Sequence, residues 1–250
     1  MSPRTQRILV IDVGGNHVKV LATGQTEPLK LPSGPGLTPQ RMVKLVRRAT
    51  RGWNCHAVSI GYPGLVVQGQ PVAEPFNLGP GWVGFRFEKA FGRPVQVIND
   101  AAMQALGSYK GGRMLFLGLG TGMGCALIDH GMLEPLELAH LPFHKATFED
   151  YVGARCIASR GKKKWRRWVK RVVEHLQVAL QPDYIVLGGG NVKKLKKLPG
   201  GALCGDNANA FRGGFRLWEA KKVTHARASQ RRAIRVTRHT PELVGMAAAV

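Results

Sequence analysis

Cysteine is scarce in this chain: Cys55, Cys125, Cys156 and Cys204 stand far apart, with no Cys-x-x-Cys pair. That spacing excludes a structural zinc ribbon and offers no disulfide framework, so the thiols read as reduced and no zinc is expected. Acidic residues are few as well, 15 against 37 Lys and Arg, for a formal charge of +22. Long apolar runs are missing. None approaches the ~20 residues that span a bilayer, and Met1 to Arg7 lack the apolar core of a signal peptide. These absences predict a cytoplasmic protein with no membrane partner.

What is present is enough for a sizeable core, with 44% hydrophobic residues in 250. The positive field runs through both halves and is denser in the second. It favours polyanions such as nucleotides, inorganic polyphosphate or nucleic acid. No DNA- or RNA-binding signature accompanies it, so nucleic acid is not the expected partner. The 32 glycines cluster beside apolar runs, where backbone has to come close to another element or to a ligand.

The pattern along the chain is α/β. Ile8–Val13 and His17–Ala22 read as a hairpin whose turn carries Gly14, Gly15 and Asn16. Thr38–Ala49 has helical spacing. Ala57–Gly61 and Leu65–Val67 read as strands around Tyr62-Pro63-Gly64. Val95–Ile98 is a strand ending at Asn99-Asp100, and Ala101–Ser108 begins a helix. The second half repeats the theme, with a strand at Arg113–Leu119, a glycine turn, and a return strand at Cys125–Asp129. A helix at Arg166–Leu180 and a strand at Tyr184–Leu187 follow. Two strand–glycine turn–strand units, one per half, predict two similar lobes facing each other.

Four segments carry chemistry. Asp12-Val13-Gly14-Gly15-Asn16 offers consecutive backbone N–H groups to a phosphate, with a carboxylate able to hold Mg²⁺ through water. An ordinary Asp/Gly turn would look the same. Gly118–Gly124 alternates glycines around Thr121, so Gly120, Thr121 and Gly122 would surround a second phosphate position. It is neither a Walker A loop nor a Rossmann turn. Asp100 stands between these two loops in sequence. It serves either as a helix N-cap or as the single base that phosphoryl transfer requires. Glu137 and His140, three residues apart, form a pair able to hydrogen-bond sugar hydroxyls, or a plain surface turn.

In this order the motifs resemble the ROK family of sugar kinases, within the actin/hexokinase/Hsp70-like ATPase superfamily and nearest its polyphosphate glucokinase branch. The resemblance runs from Ile8 to about Trp218. It implies a two-lobed ribonuclease H-like fold of the actin/hexokinase type with a cleft between lobes. The implied lobes are 1–112 and 113–219, followed by a basic extension over 220–250. It implies transfer of a phosphoryl group from ATP or polyphosphate to the 6-hydroxyl of a hexose, with Asp100 as general base and Mg²⁺ bridging at Asp12. It assigns the adenosine side to Gly188, Gly189 and Gly190, and the sugar to Gly64, Asn77, Asn99, Asp100, Glu137 and His140. It also implies a homodimer. Two departures stand out: the family's Gly-Glu-x-Gly-His reads Leu136-Glu137-Leu138-Ala139-His140, and its cysteine-rich zinc motif is absent. A further sugar-binding Glu of many members has no clear counterpart, and Glu149 is the position available for it.

Lys162, Lys163, Lys164, Arg166 and Arg167, interleaved with Trp165 and Trp168, read either as a solvated helix face with tryptophans packed inward or as a polyphosphate track. Lys193, Lys194, Lys196 and Lys197 extend such a track. The family also includes transcriptional regulators. Those carry a helix-turn-helix module ahead of the first phosphate strand, for which a strand beginning at Ile8 leaves no room.

Overall fold

The computed structural model describes residues 6–206 and 208–219, so the extension expected over 220–250 lies outside the described residues. The first hairpin forms where apolar residues run continuously: β1 (Ile8–Val13) pairs antiparallel with β2 (His17–Ala22), Val13 opposite Val18. β3 (Leu29–Pro32) continues the meander. β4 (Ala57–Tyr62) and β5 (Val95–Asn99) add in parallel on the other side, giving the order β3-β2-β1-β4-β5. Parallel neighbours need crossovers. The first is α1 (Pro39–Ala49), started by Thr38, whose hydroxyl accepts from Arg41 N–H, and buried through Met42, Val43 and Val46. The second is a loop-rich stretch containing α2 (Phe87–Phe91), pinned by fully buried Trp82, whose indole N–H donates to the Gly79 carbonyl at 2.7 Å. After β5 the chain enters α3 (Asp100–Ser108).

The second sheet repeats the first. β6 (Arg113–Leu119), β7 (Met123–Asp129) and β8 (Met132–Leu136) form an antiparallel meander. β9 (Tyr184–Gly188) and β10 (Ala202–Cys204) add in parallel, for the order β8-β7-β6-β9-β10. α4 (Phe148–Val152) and α5 (Ala154–Leu180) cover its outer face. The sequence predicts α5 only from Arg166. It runs back to Ala154 because Gly161, at φ 76°, joins two helical segments across a kink, a conformation open chiefly to glycine.

Two helices bind the halves together. α6 (Asn209–Arg216) follows the last strand of the second sheet but packs on β1 and β4 of the first. In the mirror arrangement, α3 follows the last strand of the first sheet and packs on β6 and β7 of the second. Where they cross, a Cβ on Gly107 would lie 1.8 Å from the Asn209 carbonyl oxygen, and one on Gly213 would lie 1.8 Å from that of Met103. Only glycine at both positions lets the helix backbones touch. Ile8, Val10, Ala102, Leu106, Phe116 and Phe211 fill the layer between the sheets. The architecture is a duplicated ribonuclease H-like α/β fold of the actin/hexokinase type.

Candidate active site

The site begins where β5 becomes α3. The cap of that helix is Asn99: its side-chain oxygen accepts from the N–H groups of Ala101 at 2.9 Å and Ala102 at 3.1 Å. Asn99 thus takes the larger part of the cap role that the position of Asp100 otherwise suggests, and the Asp100 carboxylate accepts from the Ala101 N–H at 2.8 Å. The Asn99 amide also donates to the Gly64 carbonyl at 3.0 Å, tying the 62–64 turn to the helix start.

Glycines on both lobes let Asp100 sit between them. Gly61, at the end of β4, has the Asp100 Cα only 3.6 Å from where its own Cβ would be. Gly61 is also the parallel partner of Asp12 on β1. From the second lobe, Gly124 approaches so closely that a Cβ there would be 2.6 Å from that of Ala101. The chain of contacts Asp12–Gly61–Asp100–Ala101–Gly124 thus carries one glycine turn to the other through the helix start.

Electrostatics follow from this crowding. Burial pushes the Asp100 carboxyl up, the Asp12 charge adds to that, the N–H groups of Ala101 and of Asp100 itself offset part of it, and Glu137 adds a little more; the result is about 7. Asp100 keeps part of its surface open to solvent. Asp12 is also raised by burial, restrained by the Lys19 ammonium 3.6 Å away. A carboxyl poised near neutrality, reachable from solvent, has the protonation behaviour of a general base.

The two turns present free donors. In the first, Gly14 N–H is used by His17 O at 3.0 Å and Gly14 O accepts from the Ser33 hydroxyl at 2.6 Å. The N–H groups of Gly15 and Asn16 have no partner within the chain among the described residues. Asn77 lies against this turn, its Cβ 3.4 Å from where a Gly15 Cβ would be. In the second turn Gly120 N–H closes on Gly122 O at 3.0 Å, leaving the N–H groups of Thr121 and Gly122 without a partner among the described residues. Glu149 reaches this turn from α4: its carboxylate accepts from Met123 N–H at 3.1 Å and would collide with any Cβ on Gly122.

The Gly188–Gly190 turn packs directly on the second glycine turn. A Cβ on Gly189, at φ 84°, would fall 2.5 Å from the Leu119 carbonyl oxygen. Asn191 follows it and was not legible as a site residue in the sequence, where the only hint is an Asn between three glycines and a basic run. Its backbone N–H donates to Leu119 O at 3.0 Å and its amide to Gly120 O at 2.6 Å. Glu137 and His140 flank a short 3₁₀ turn, exposed, with His140 Nε2 3.7 Å from a Glu137 carboxylate oxygen. Asn77, Glu137 and His140 thus stand at the surface, whereas Asn99 is bonded to Gly64 and shares the Ala101 N–H with Asp100.

On α5, Trp165 is fully buried and its indole donates to Val152 O at 2.6 Å, while Trp168 packs against the core as a partner of Tyr151. The tryptophans do point inward, as the solvated-face reading expects. Lys162, Lys163, Lys164 and Arg167 are exposed, and none has a carboxylate within 4.0 Å among the described residues. Arg166 is turned instead to the Lys194 carbonyl at 2.6 Å. A separate cavity of about 980 Å³ runs along the edges of β5 and β8, touching the site only at Asn99.

Among the described residues no group of three or more His, Cys, Asp or Glu is gathered as a metal cage, and no helix is long and apolar enough to cross a membrane. Mg²⁺ does not need such a cage. It takes one or two carboxylates and fills its octahedron with water and phosphate oxygens. Asp12, with 14% of its side chain exposed and its charge felt by Asp100, fits that role.

Comparison with known proteins agrees with this geometry. A polyphosphate glucokinase of Mycobacterium tuberculosis (strain CDC 1551 / Oshkosh) is 30% identical over 213 residues, spanning 75% of this chain and 78% of the relative. The inorganic polyphosphate/ATP-glucomannokinase of Arthrobacter sp. strain KM superposes with a TM-score of 0.73 at 23% identity, covering 85% of this chain and 98% of that one. A ROK family glucokinase from Streptomyces griseus, solved with glucose and AMPPNP, gives 0.67 at 17% identity over 84% and 98%. A sequence profile described as the ROK family matches residues 8–134, from β1 through the second glycine turn into β8. With both turns, the Asn99-Asp100 junction and a relative at this identity in hand, the chain belongs to the ROK family.

Proposed function

We propose that this ROK protein is a sugar kinase, a phosphotransferase that moves the terminal phosphoryl group of polyphosphate or ATP to the 6-hydroxyl of glucose or a related hexose. The observation that carries the reading is Asp100: a carboxyl raised to about 7, partly open to solvent, and held between two glycine turns whose free N–H groups suit phosphate oxygens. The relatives' names support the acceptor and the donors.

In this reading Asp100 takes the proton from the sugar hydroxyl as its oxygen attacks phosphorus. Asn99 holds the Gly64 loop against the sugar, with Asn77, Glu137 and His140 completing the hydroxyl contacts. The N–H groups of Gly15, Asn16, Thr121 and Gly122 receive the phosphates, and Gly188–Gly190 lies on the adenosine side. Asp12 would hold Mg²⁺, which when bound neutralises charge on the phosphoryl oxygens. The lobes are 1–112 and 113–219, with Lys162, Lys163, Lys164, Arg166 and Arg167 as a track for a polyphosphate donor. A cytoplasmic homodimer goes with this reading. The test is a coupled assay of purified protein with glucose and other hexoses, each against ATP and long-chain polyphosphate with Mg²⁺. Formation of a hexose 6-phosphate is the expected result; no transfer from either donor would overturn the proposal.

A further inference from the structure

The basic helix and the second phosphate turn are far apart in sequence, yet the structure joins them by an unbroken run of hydrogen bonds. Arg166 Nε donates to the Lys194 carbonyl at 2.6 Å. The Lys194 ammonium donates to Asn191 Oδ1 at 2.5 Å, and the Asn191 amide donates to Gly120 O at 2.6 Å. Asn191 is buried, at 8% exposure, whereas Lys194 remains part-exposed.

A buried Asn191 whose side-chain oxygen accepts from an ammonium, whose amide donates to the Gly120 carbonyl and whose backbone N–H donates to the Leu119 carbonyl does two things. It fixes the peptide planes of the turn, so that the N–H groups of Thr121 and Gly122 stay turned outward. It also parks a cation two hydrogen bonds from the phosphate turn. No carboxylate lies within 4.0 Å of the Lys194 ammonium among the described residues. Lys193, Lys196 and Lys197 neighbour Lys194 in sequence, and Arg166, joined through the Lys194 carbonyl, stands on α5 with exposed Lys162, Lys163 and Arg167.

We infer that Lys194, positioned by Asn191, is the inner anchor of a polyanion groove that starts at the second glycine turn and continues onto α5, and that its ligand is the distal part of an inorganic polyphosphate chain. This rests on the kinase reading and deepens it by separating donors. Once the terminal phosphoryl group lies between the turns, the phosphates behind it must leave the cleft, and the Asn191–Lys194 step gives them a charged exit. A polyphosphate carries closely spaced charges without end, so each further fixed cation adds contact and releases counterions. ATP ends in a nucleoside and has nothing to offer the outer cations.

The experiment compares wild type, Lys194→Gln, Lys194→Arg and, as a charge-matched control on the other lobe, Lys44→Gln. Two quantities are read: equilibrium binding of long-chain polyphosphate over a salt series by calorimetry, and kcat/KM against polyphosphate chain length from triphosphate upward. Lys194→Gln should weaken long-chain binding by about tenfold and lower the slope of log K against log salt by about one. It should also flatten the dependence on chain length, while glucose KM and use of ATP change far less. Lys194→Arg should restore binding, and Lys44→Gln should match wild type. Wild-type binding and chain-length dependence in Lys194→Gln would overturn the inference. So would an equal loss with ATP, or single-stranded RNA displacing polyphosphate at equal phosphate concentration. Absence of transfer by the wild type would instead defeat the kinase reading, and the binding arm would still test the groove.

Discussion

The two glycine turns occupy the same place in duplicated sheets, yet they are held in different ways. The first, at Gly14–Asn16, rests on light contacts: a hydroxyl from Ser33, the side of Asn77, and the Lys19–Asp12 pair. The second, at Gly120–Gly122, is braced by Asn191, Glu149, Gly153 and the Gly188–Gly190 turn, and has basic residues behind it. Topology was duplicated, but support was not. The lightly held turn carries the metal-binding carboxylate in our reading, where water and a bridging cation complete the site. In the same reading the braced turn aims bare N–H groups at phosphates, and that requires fixed peptide planes.

This contrast can be broken at several points. Between the two turns stands Asp100, and its loss should have the largest effect: Asp100→Asn should lower kcat by about a thousandfold while sugar and donor still bind, read by steady-state kinetics and calorimetry. Retained turnover would make the carboxyl a bystander. Next comes a matched pair of substitutions. Gly189→Ala drives a Cβ to 2.5 Å from a backbone carbonyl at positive φ, and should cost about 2–4 kcal/mol in denaturant unfolding. Gly15→Ala meets only the Asn77 Cβ at 3.4 Å and should cost about 1 kcal/mol or less. Equal costs would remove the asymmetry.

A further effect, of the same order as the Gly189→Ala cost, concerns pH. The Asp100 carboxyl is raised from 3.8 to about 7 on folding. Between those values the folded state binds more protons than the unfolded one, so wild-type stability should decline as pH rises from about 4 to about 7 and level off above. Asp100→Asn lacks this contribution, so its stability relative to wild type should rise across that window. A pH-independent difference between the two would contradict the raised value. The smallest effect lies away from both turns. Lys170→Ala breaks an exposed pair with Glu174, 3.7 Å apart, and should change stability by less than about 0.5 kcal/mol.

Local signals carried much of this structure into the sequence. Continuous apolar strands meeting at glycines announced both hairpins, and the Asn99-Asp100 junction marked the start of α3. What stayed hidden depends on residues far apart in the chain. Gly107 and Gly213 look like ordinary helix glycines until their helices cross. Asn191 finds Gly120 71 residues away, a bond with no local periodicity to betray it. Even adjacent residues were ambiguous. Asn99 and Asp100 are both good caps by type, and only the structure shows that Asn99 accepts from both Ala101 and Ala102 while the Asp100 carboxylate shares the Ala101 N–H alone. Gly161 hid the first part of α5 for a related reason, since glycine reads as a break unless the chain beyond it is seen to resume.

The proposed chemistry needs a carboxyl near neutrality acting as base between the two turns. The most direct measurement is the pH dependence of kcat/KM for glucose at saturating donor. It should rise tenfold per pH unit on the acid side and level off with an inflection well above the ordinary carboxylate value, because burial raises the Asp100 carboxyl. A profile flat from pH 5 to pH 9, or one that falls through neutrality, would contradict it.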